Sequence, residues 1–290
     1  MPEKKLIVVI VFYDHPEDTI ECLHSVLCSD FSPLYVLLID NGSSPESLHK
    51  IREEFPQIPI IKLDENTGFV GGFNAGIQEA LKAGATDLFL LSNDTIIEPS
   101  TIRLLDETDW DVSVPKILYY DHPEIVQTAG ARWRSFPPSI IMIGFKAKDG
   151  PEFDTPRQLE YAIGCAFLAR RAVLEKVGGF DTIFKNYSED YDFFYRVNYA
   201  GFKIGFVPAA RLYHKDALTT RKIPGRRRWF LGRNTVLFYR KDNRFSTWQL
   251  WTFMIWFLLR ETLKGNFSHL RDYLDGFRDG FKYLRENSRG

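Results

Sequence analysis

The chain has 290 residues, of which 44% are hydrophobic and 26% charged, with a formal net charge of −1 at pH 7. This composition is typical of a soluble globular protein with one large core or two smaller ones, and the near-neutral charge argues against a nucleic-acid partner. The three cysteines, Cys22, Cys28 and Cys165, form no CxxC pair, so the sequence predicts a cytoplasmic protein rather than a secreted one built on disulfides.

The first half of the chain alternates strand and helix signals. Leu6–Phe12 is a continuous apolar run, typical of a buried parallel strand and too short and β-branched for the core of a signal peptide. Further strands are predicted at 34–39, 58–63 and 87–91, and helices at 16–28, 46–55 and 71–83. Such repeated units predict an α/β fold with a mostly parallel central sheet, helices on both faces and ligands at the carboxyl ends of the strands.

After Asp111 the pattern changes to short strands broken by proline and glycine. Strands are predicted at 112–120, 125–129, 132–136, 139–145 and 202–207, and helices at 171–177 and 190–200. Residues 221–244 then carry nine lysines or arginines and one acid, and a nearly all-apolar segment follows. We therefore expect an α/β domain at 1–220, followed at 221–290 by a basic segment and C-terminal helices.

The apolar segment Thr247–Leu259 is shorter than the about 20 residues that a membrane-spanning helix needs. Together with the basic residues before it, this segment suits a helix that lies on an anionic membrane surface or docks onto a partner, including a second copy of the chain. A C-terminal helix buried in the core fits the same composition, and periodicity alone does not separate the two.

Polar residues follow the second and third predicted strands. Asp40 ends the second strand, where its carboxylate could accept a hydrogen bond from a nucleotide base or ribose, although a turn residue is the simpler interpretation. A glycine-rich loop at 65–76 enters a helix, and backbone N–H groups at such a helix start attract phosphate. Close packing of a helix on a sheet needs the same glycines, and no Gly-Lys-Ser/Thr follows them, so the loop is not a P-loop.

Asp94 and His214 are candidate metal ligands. Asp94 follows the fourth predicted strand, where a carboxylate can hold Mg²⁺ or Mn²⁺ against a diphosphate; a helix cap is the alternative. His214 lies just past the strand at 202–207 and would complete a mixed oxygen and nitrogen site, although most single histidines bind no ligand.

An acidic run heads the helix predicted at 190–200. Asp190 is the first choice for a general base, Glu189 the second and Asp192 the third. The alternative is a set of first-turn acids that complement the helix dipole. A metal–diphosphate site with a nearby base would predict group transfer from an activated phosphate ester.

In their order along the chain, these motifs resemble the inverting family 2 glycosyltransferases with a GT-A fold, and most of all the rhamnosyltransferase and galactofuranosyltransferase-like branch. The resemblance covers roughly residues 5–240, and the combination is specific although no single motif is. The segments that carry it are the first strand with Tyr13, the turn 40–43, the loop 66–76, the tripeptide 92–94, and the block 164–214, which includes 178–181 and 189–192.

The resemblance implies a nucleotide-sugar donor, either a dTDP- or a UDP-sugar, and a Mg²⁺ or Mn²⁺ cofactor. It implies that Asp94 and His214 hold the metal, and that Asp190 is the catalytic base with Glu189 beside it. The residues implied for the donor are Phe12, Tyr13, Asp40, Gly68, Phe69, Asn74, Asn93, Asp94 and, by weaker analogy, Trp133. The sequence departs from the family at Ser92, which replaces the first acid of the metal motif.

For the acceptor, the resemblance implies a glycan, with or without a polyprenyl-diphosphate carrier, and the basic and aromatic segment at 221–260 suggests peripheral contact with the inner face of the cell membrane. The product would then belong to a cell-surface polysaccharide. Two alternatives stay open at this point. One is a nucleotidyltransferase on a similar α/β fold, although no basic glycine-rich loop follows the first strand. The other is a non-catalytic carbohydrate-binding protein.

Overall fold

The computed structural model describes residues 4–215 and 224–287. In the first half of the chain, strands and helices alternate as predicted. In chain order these elements are β1 (Leu6–Phe12), α1 (Pro16–Leu27), β2 (Tyr35–Asp40), α2 (Pro45–Glu54), β3 (Ile60–Lys62), α3 (Gly68–Lys82) and β4 (Asp87–Ser92). Strands β3, β2, β1 and β4 lie side by side in this order and pair in parallel, so their carboxyl ends meet at one edge.

The second half of the chain adds antiparallel pairs to the same sheet. Its elements are β5 (Thr95–Ile97), α4 (Thr101–Asp106), β6 (Val112–Tyr119), β7 (Val126–Thr128), β8 (Ala131–Arg134), β9 (Ser139–Met142), a 3₁₀ turn (Pro151–Phe153), β10 (Arg157–Leu159), β11 (Ala166–Arg170), α5 (Arg171–Val177), α6 (Glu189–Tyr199) and β12 (Ile204–His214). Strand β11 inserts antiparallel between β4 and β6, and β12 continues the sheet parallel to β6. The sheet is therefore mixed, with the predicted parallel pairing concentrated in its first half.

Three strands of this second half were not predicted, namely β5, β10 and β11. Each has at most five residues, and β11 runs directly into α5, so no period of its own separates it from the helix signal. Strand β12 is also longer than predicted. It passes Pro208 at an irregularity between Val207 and Arg211, so that His214 is its last residue rather than a residue beyond it.

Alternating side chains of β1 fill two cores, one on each face of the sheet. Ile7, Val9 and Val11 pack with α3, α5 and α6, whereas the even-numbered residues through Phe12 pack with α1, α2 and α4. Phe12 is 1% exposed, so its side chain belongs to the second core. The central strand is thus buried on both faces, as its continuous apolar run predicts.

Helix α3 begins at Gly68, one turn before the predicted start. Gly72 faces Val11, whose Cγ1 would lie 2.5 Å from an added Cβ, and Gly76 faces Val9 even more closely. The glycines of the loop therefore bring the helix against β1, which is the packing role that the sequence left open. Gly68 has a φ of +76°, a conformation that favours glycine, so the helix start also depends on this residue.

The described residues of the C-terminal part form three helices, α7 (Pro224–Arg240), α8 (Thr247–Leu263) and α9 (Phe267–Asn287), with a 3₁₀ turn at Lys241–Asn243. The domain boundary expected at 220/221 falls within 216–223, outside the described residues. Gly232 of α7 and Gly276 of α9 let the two backbones touch, because a side chain at either position would meet the backbone of the other helix.

Helix α8 is buried on one face and exposed on the other, so each interpretation of the apolar segment fits one of its faces. Leu250 and Met254 are buried, whereas Trp251, Ile255 and Leu259 are 49%, 56% and 58% exposed on the opposite face. A search of the described helices finds none with the length and apolarity needed to cross a bilayer.

Candidate active site

At the carboxyl ends of β1 and β2, one carboxylate oxygen of Asp40 is a buried hydrogen-bond acceptor. Phe12 lies opposite Asp40 in the parallel register, and the next residue, Tyr13, is 39% exposed. Asp40 is fully buried; its Oδ1 accepts a hydrogen bond from the backbone N–H of Ser43 at 2.8 Å. Its Oδ2 has no hydrogen-bond partner among the described residues. Because a buried polar atom without a partner is costly, an N–H of a ligand would stabilise this position.

Asp14 ties the loop after β1 to the turn after β2. Its backbone N–H donates to Ser43 Oγ at 2.9 Å, and its Oδ1 accepts from the Ser44 backbone N–H at 2.9 Å and from Ser47 Oγ at 3.1 Å. The backbone N–H of Ser44 is the main cause that holds the pKa of Asp14 below its usual value. The two strand ends are therefore fixed relative to each other.

Asn41 fixes the start of the glycine-rich loop, a role that the sequence analysis missed. The side chain is 3% exposed, and its Oδ1 accepts from both the backbone N–H and the hydroxyl of Thr67, at 3.0 and 2.8 Å. Its Nδ2 donates to Gly68 O at 3.0 Å. A buried asparagine beside a glycine-rich loop is the signal from which this role could have been inferred.

Phe69 and Asn74, two of the expected donor-binding residues, pack against the segment before α6. The ring of Phe69 lies 5.4 Å from that of Phe180. The Asn74 amide makes two hydrogen bonds of 2.8 Å to the backbone of Phe180, donating to its oxygen and accepting from its nitrogen. Its amide is thus engaged in holding this segment, and contact between Asn74 and a donor stays a prediction.

Asp94 lies in the turn between β4 and β5 and is not a helix cap. Strand β5 pairs antiparallel with β12 and places Thr95 opposite His214, which brings Asp94 beside the histidine. The neighbouring Asn93 donates from Nδ2 to Thr19 Oγ1 at 2.9 Å, so its amide braces α1 against the turn.

Asp94 and His214 form a shielded pair. Their Oδ1 and Nε2 atoms are 3.4 Å apart, and the side chains are 19% and 12% exposed. Burial raises the pKa of Asp94, but the positive charge and hydrogen bond of His214 and the charge of Lys215 outweigh it, so that the pKa lies below its usual value. Asp94 is therefore ionised at neutral pH.

Gln127, on β7, orients this histidine and was not predicted. Its Oε1 lies 2.8 Å from Nδ1 of His214. A carbonyl oxygen only accepts, so this contact places a hydrogen on Nδ1. Nε2 faces Asp94 and donates its hydrogen to that carboxylate, and a cation bound at Nε2 would take the place of this hydrogen.

The pair is suited to a divalent cation that also binds a diphosphate. Within 4–215 and 224–287 no three histidine, cysteine or carboxylate side chains cluster closely enough to hold a metal by themselves. Two adjacent ligands of a cation with bonds of about 2.1 Å lie roughly 3 Å apart, close to the separation of Asp94 and His214. Mg²⁺ sites commonly combine one or two protein ligands with water and substrate phosphates, so the residues fit such an ion.

Glu189 and Asp190 are adjacent acids at the start of α6, of which Glu189 is buried and Asp190 half-buried. Oδ1 of Asp190 accepts from the Tyr191 backbone N–H at 2.8 Å and Oδ2 from that of Gly164 at 3.2 Å. Burial raises the pKa of Asp190 to about 6 in spite of these hydrogen bonds. Burial and the charge of Asp190 raise the pKa of Glu189 well above its usual value, and Glu189 Oε2 has no hydrogen-bond partner among the described residues. Burial and the neighbouring carboxylate thus disfavour a negative charge on Glu189.

Asp192, the third candidate for the base, has a structural role instead. Its carboxylate is fully buried and forms ion pairs of 2.8 Å with Arg196, 2.8 Å with Lys241 and 2.7 Å with Arg244. With three cations around it, the carboxylate is a poor proton acceptor, and it joins α6 to the residues after α7.

The Gly164–Cys165 backbone makes hydrogen bonds both to the candidate base Asp190 and to the strand that leads to Asp94. Its backbone oxygen accepts from Ser92 N at 2.8 Å, and the preceding residue, Gly164, is the one that bonds Asp190. Burial raises the pKa of the Cys165 thiol, and the charges of Asp94 and Asp190 raise it further. Both carboxylates therefore lie within electrostatic reach of one side chain, at the carboxyl edge of the sheet.

The segment before α6 is strained and is held by α7. Lys185, Tyr187 and Ser188 have φ values of 60°, 65° and 67°, which non-glycine residues rarely adopt. Asn234 of α7 is fully buried and donates from Nδ2 to the carbonyl oxygens of three residues of this segment. These residues are Phe184, Asn186 and Tyr187, at 3.0, 2.7 and 2.7 Å. A C-terminal helix therefore fixes the segment that precedes the candidate base.

Trp133 lies on β8 and packs against aromatic residues of the C-terminal part. Its ring stacks on Phe245 with centroids 4.5 Å apart and also contacts Tyr239. The tryptophan lines an apolar cavity whose wall includes Ser188 and Tyr191, the residues on either side of the Glu189–Asp190 pair. Contact between Trp133 and a donor stays a prediction.

A family comparison agrees with this geometry. The model of glycosyl transferase family 2 matches residues 7–178, which is more than half of the chain. The chain belongs to this family. The match includes the strand ends, the glycine-rich loop and Asp94, and it ends before Asp190 and His214.

Two relatives of this family 2 member have similar sequences. The "uncharacterized glycosyltransferase YwdF" of Bacillus subtilis is 24% identical over 72% of this chain and 74% of that protein. The N-acetylglucosaminyl-diphospho-decaprenol L-rhamnosyltransferase of Mycobacterium tuberculosis is 27% identical over 92% of this chain and 91% of that protein.

Two solved structures share the fold of this family 2 chain. The mannosyltransferase PcManGT of Pyrobaculum calidifontis, in complex with GDP-Man and Mn²⁺, has a TM-score of 0.56 at 13% identity over 98% of this chain and 76% of that one. GalNAc-T7 with UDP, GalNAc and Mn²⁺ has a TM-score of 0.59 at 20% identity over 73% of this chain, which spans only 44% of that longer chain. Both support a GT-A fold for the sheet and its flanking helices.

Proposed function

We propose that the protein is an inverting glycosyltransferase that moves rhamnose, galactofuranose or a related hexose from a UDP- or dTDP-sugar to a hydroxyl of a glycan or lipid-linked acceptor, in the synthesis of a cell-surface polysaccharide. The observation that carries the proposal is that the Gly164–Cys165 backbone contacts both Asp190 and the end of β4, next to the Asp94–His214 pair. The decaprenol-linked acceptor in the name of the mycobacterial relative supports the acceptor class.

The donor base would lie at the ends of β1 and β2. The unpartnered Oδ2 of Asp40 is an acceptor for the ring N–H that uracil and thymine share, and Phe12 and Tyr13 border the same position. The backbone at Gly68 and Phe69 would then border the diphosphate and sugar. Uracil and thymine offer the same N–H, so this contact alone does not separate a UDP- from a dTDP-sugar.

Transfer would depend on proton removal by Asp190. This carboxylate takes the proton of the acceptor hydroxyl as the oxygen attacks the anomeric carbon, and the nucleoside diphosphate leaves from the opposite face of the sugar. Two backbone N–H groups hold the carboxylate, and burial disfavours a second negative charge on Glu189 next to it. A Mg²⁺ or Mn²⁺ ion held by Asp94 and His214 would neutralise the charge of the leaving diphosphate.

The two alternative functions have less support. A nucleotidyltransferase would need a phosphate loop after β1, where this chain has Tyr13, Asp14 and His15. Asp14 is committed to holding the turn after β2. A carbohydrate-binding protein without activity would not need a half-buried carboxyl group whose pKa is about 6.

Peripheral attachment to the inner face of the membrane, through 221–260, is the second part of the proposal. The exposed apolar face of α8 and the arginines of α7 support it, whereas 221–223 lie outside the described residues. The division into a transferase domain at 1–220 and an extension at 221–290 is proposed with it, and homodimer formation stays a prediction.

A thermal-shift screen with UDP- and dTDP-sugars, each with and without Mn²⁺, tests the donor. A donor that binds only the folded protein raises its melting temperature, and the increase should depend on the cation. With the donor known, Asp190→Asn should lower turnover about 10²–10⁴-fold while the donor-induced shift persists.

Glu189→Gln is the matched control, because it replaces the neighbouring acid with a neutral side chain of the same size, and we expect it to retain most of the activity. Full activity of Asp190→Asn, or release of pyrophosphate in place of a nucleoside diphosphate, would contradict the proposed reaction.

A further inference from the structure

A cavity of about 170 Å³ lies between the sheet domain and the C-terminal helices. Its wall is mainly aromatic, and all three C-terminal helices contribute to it. Representative lining residues are Phe238 of α7, Phe253 and Phe257 of α8, and Phe277 of α9. Nothing in the proposed donor site or in the proton transfer uses this space.

The cavity adjoins the acceptor side of the candidate base. Ser188 and Tyr191 line it and flank the acidic pair at the start of α6. Trp133 also lines it, from a hairpin whose Ala131 exchanges two backbone hydrogen bonds with Tyr161. Tyr161 lies a few residues before Gly164, whose backbone N–H donates to the carboxylate of Asp190. A ligand in the cavity would therefore sit close to the point where the acceptor hydroxyl must be.

Two arginines border the cavity. Arg134 donates from Nη2 to the hydroxyl of Ser139, a lining residue, at 2.7 Å, and Arg260 lies 5.0 Å from the ring of Phe257, another lining residue. Both guanidinium groups also lie against the ring of Trp256, at 5.0 and 4.9 Å from its centroid. An apolar cavity with two cations beside it matches a molecule that combines a hydrocarbon chain with an anionic group.

We propose that this cavity binds the first part of the isoprenoid chain of a polyprenyl-diphosphate acceptor, with Arg134 and Arg260 next to the diphosphate. The inference rests on the proposed function and specifies how its acceptor is recognised. A cavity of about 150 Å³ accommodates benzene, and an isoprene unit has fewer carbon atoms than benzene, so the volume is sufficient for one unit. Helix α8 also has an exposed apolar face, on the side of the helix opposite Phe253 and Phe257, which line the cavity.

The test measures binding of farnesyl diphosphate to the full chain by calorimetry, with inorganic diphosphate as the probe that lacks the chain. Thr235 of α7 lines the cavity, and its hydroxyl bonds within the helix to Leu231 O. Thr235→Phe fills the space and should weaken binding of farnesyl diphosphate about tenfold or more, because several apolar carbon atoms lose their contacts. Thr235→Val keeps the volume and should bind as the wild type does.

Three outcomes would overturn the proposal. The first is that farnesyl diphosphate binds no more tightly than inorganic diphosphate. The second is that Thr235→Phe binds farnesyl diphosphate as tightly as the wild type does. The third is that Ile255→Ser, on the exposed face of α8, abolishes binding, which would place the isoprenoid chain on the outer surface of the helix rather than in the cavity. Should Thr235→Phe not fold, Ile140→Phe fills the cavity from the β9 side and decides the same question.

Failure of this proposal can be told apart from failure of the proposed function. The binding measurement requires no sugar transfer, and the donor-induced rise in melting temperature reports on the donor site alone. Transfer activity with normal binding of farnesyl diphosphate by Thr235→Phe would refute the cavity assignment and leave the glycosyltransferase proposal intact.

Discussion

Neighbouring carboxyl groups acquire different properties from their surroundings in this protein. Asp190 accepts hydrogen bonds from two backbone N–H groups, Glu189 is buried with one oxygen unpartnered, and Asp192 is surrounded by cations. The pKa of Asp190 lies at about 6, that of Glu189 well above its usual value and that of Asp192 below it. With a pKa of about 6, Asp190 is ionised at neutral pH and still basic enough to take a proton.

The raised pKa of Asp190 predicts the pH dependence of catalysis. A carboxylate with a pKa of about 6 is protonated below that pH and then cannot accept the acceptor's proton. We expect kcat/KM to rise with pH through about 6 and to fall about tenfold per pH unit well below it, measured in initial-rate assays. The residual activity of Asp190→Asn should lack this dependence. An inflection near pH 4 in the wild type would contradict the assignment.

The Gln127–His214 contact predicts an effect on metal use. Gln127→Met keeps a similar volume but removes the acceptor for the hydrogen on Nδ1, so the imidazole loses its fixed tautomer. We expect the Mn²⁺ concentration needed for half-maximal activity to rise about 10–100-fold, with little change in the melting temperature of the metal-free protein. Gln127→Glu retains an acceptor and should recover much of the loss. An unchanged Mn²⁺ dependence in Gln127→Met would exclude this role.

At the scale of elements, α6 depends on α7. The segment that leads into α6 contains three residues with positive φ, and its carbonyl oxygens accept hydrogen bonds from one buried asparagine of α7. The Asp192 ion pairs with Lys241 and Arg244 add a second connection from the end of the same helix. The candidate base Asp190 is therefore positioned by residues outside the family 2 match.

Asn234→Leu tests this dependence. It should remove the hydrogen bonds to the carbonyl oxygens before α6 and lower the free energy of unfolding by about 1–3 kcal/mol, measured by denaturant unfolding. Because the base then loses its fixed position, we expect kcat to fall while the donor-induced thermal shift is retained.

Thr235→Val, one residue along α7, is the control for a change in the same helix and should leave kcat unchanged. A loss of stability in Asn234→Leu with normal kcat would show that the asparagine stabilises the fold without positioning the base.

At the scale of the whole molecule, helix α8 is apolar on both its inner and its outer face. Trp248, Trp251, Ile255, Leu259 and Leu263 are all exposed and are spaced by three or four residues, so they form a stripe along the outer face. The inner face lines the cavity and the core. Such an apolar stripe next to basic residues is typical of a helix that lies on a membrane surface.

The stripe predicts binding to anionic liposomes. The full chain should float with vesicles that contain an anionic lipid, and less so at high salt, because the arginines contribute to binding. The double variant Ile255→Ser and Leu259→Ser should lose flotation, whereas Tyr199→Ser, which changes a residue 84% exposed on α6, should not. Equal flotation of both variants would remove the membrane assignment.

Much of the fold could be predicted from local patterns. The buried run of β1, the serine cap of α2 and the parallel units of the first half follow from hydrophobic periodicity and turn residues. Strands β5 and β11 could not be predicted, because short strands carry little periodicity of their own and are fixed by their neighbours. The positions of Asp94 and His214 depend on β5, so their contact was a hypothesis until that pairing was known.

The sequence by itself determined the alternation of elements, the acids and histidine available for chemistry, and the apolar character of the C-terminal segment, because these depend on residue type and on spacing along the chain. Only the tertiary structure decided how the environments of the three acids at the start of α6 differ, which groups Gln127 and Asn234 contact, and that α8 is apolar on both faces. Burial, charge and hydrogen bonding between distant segments set these properties, and no local pattern contains them.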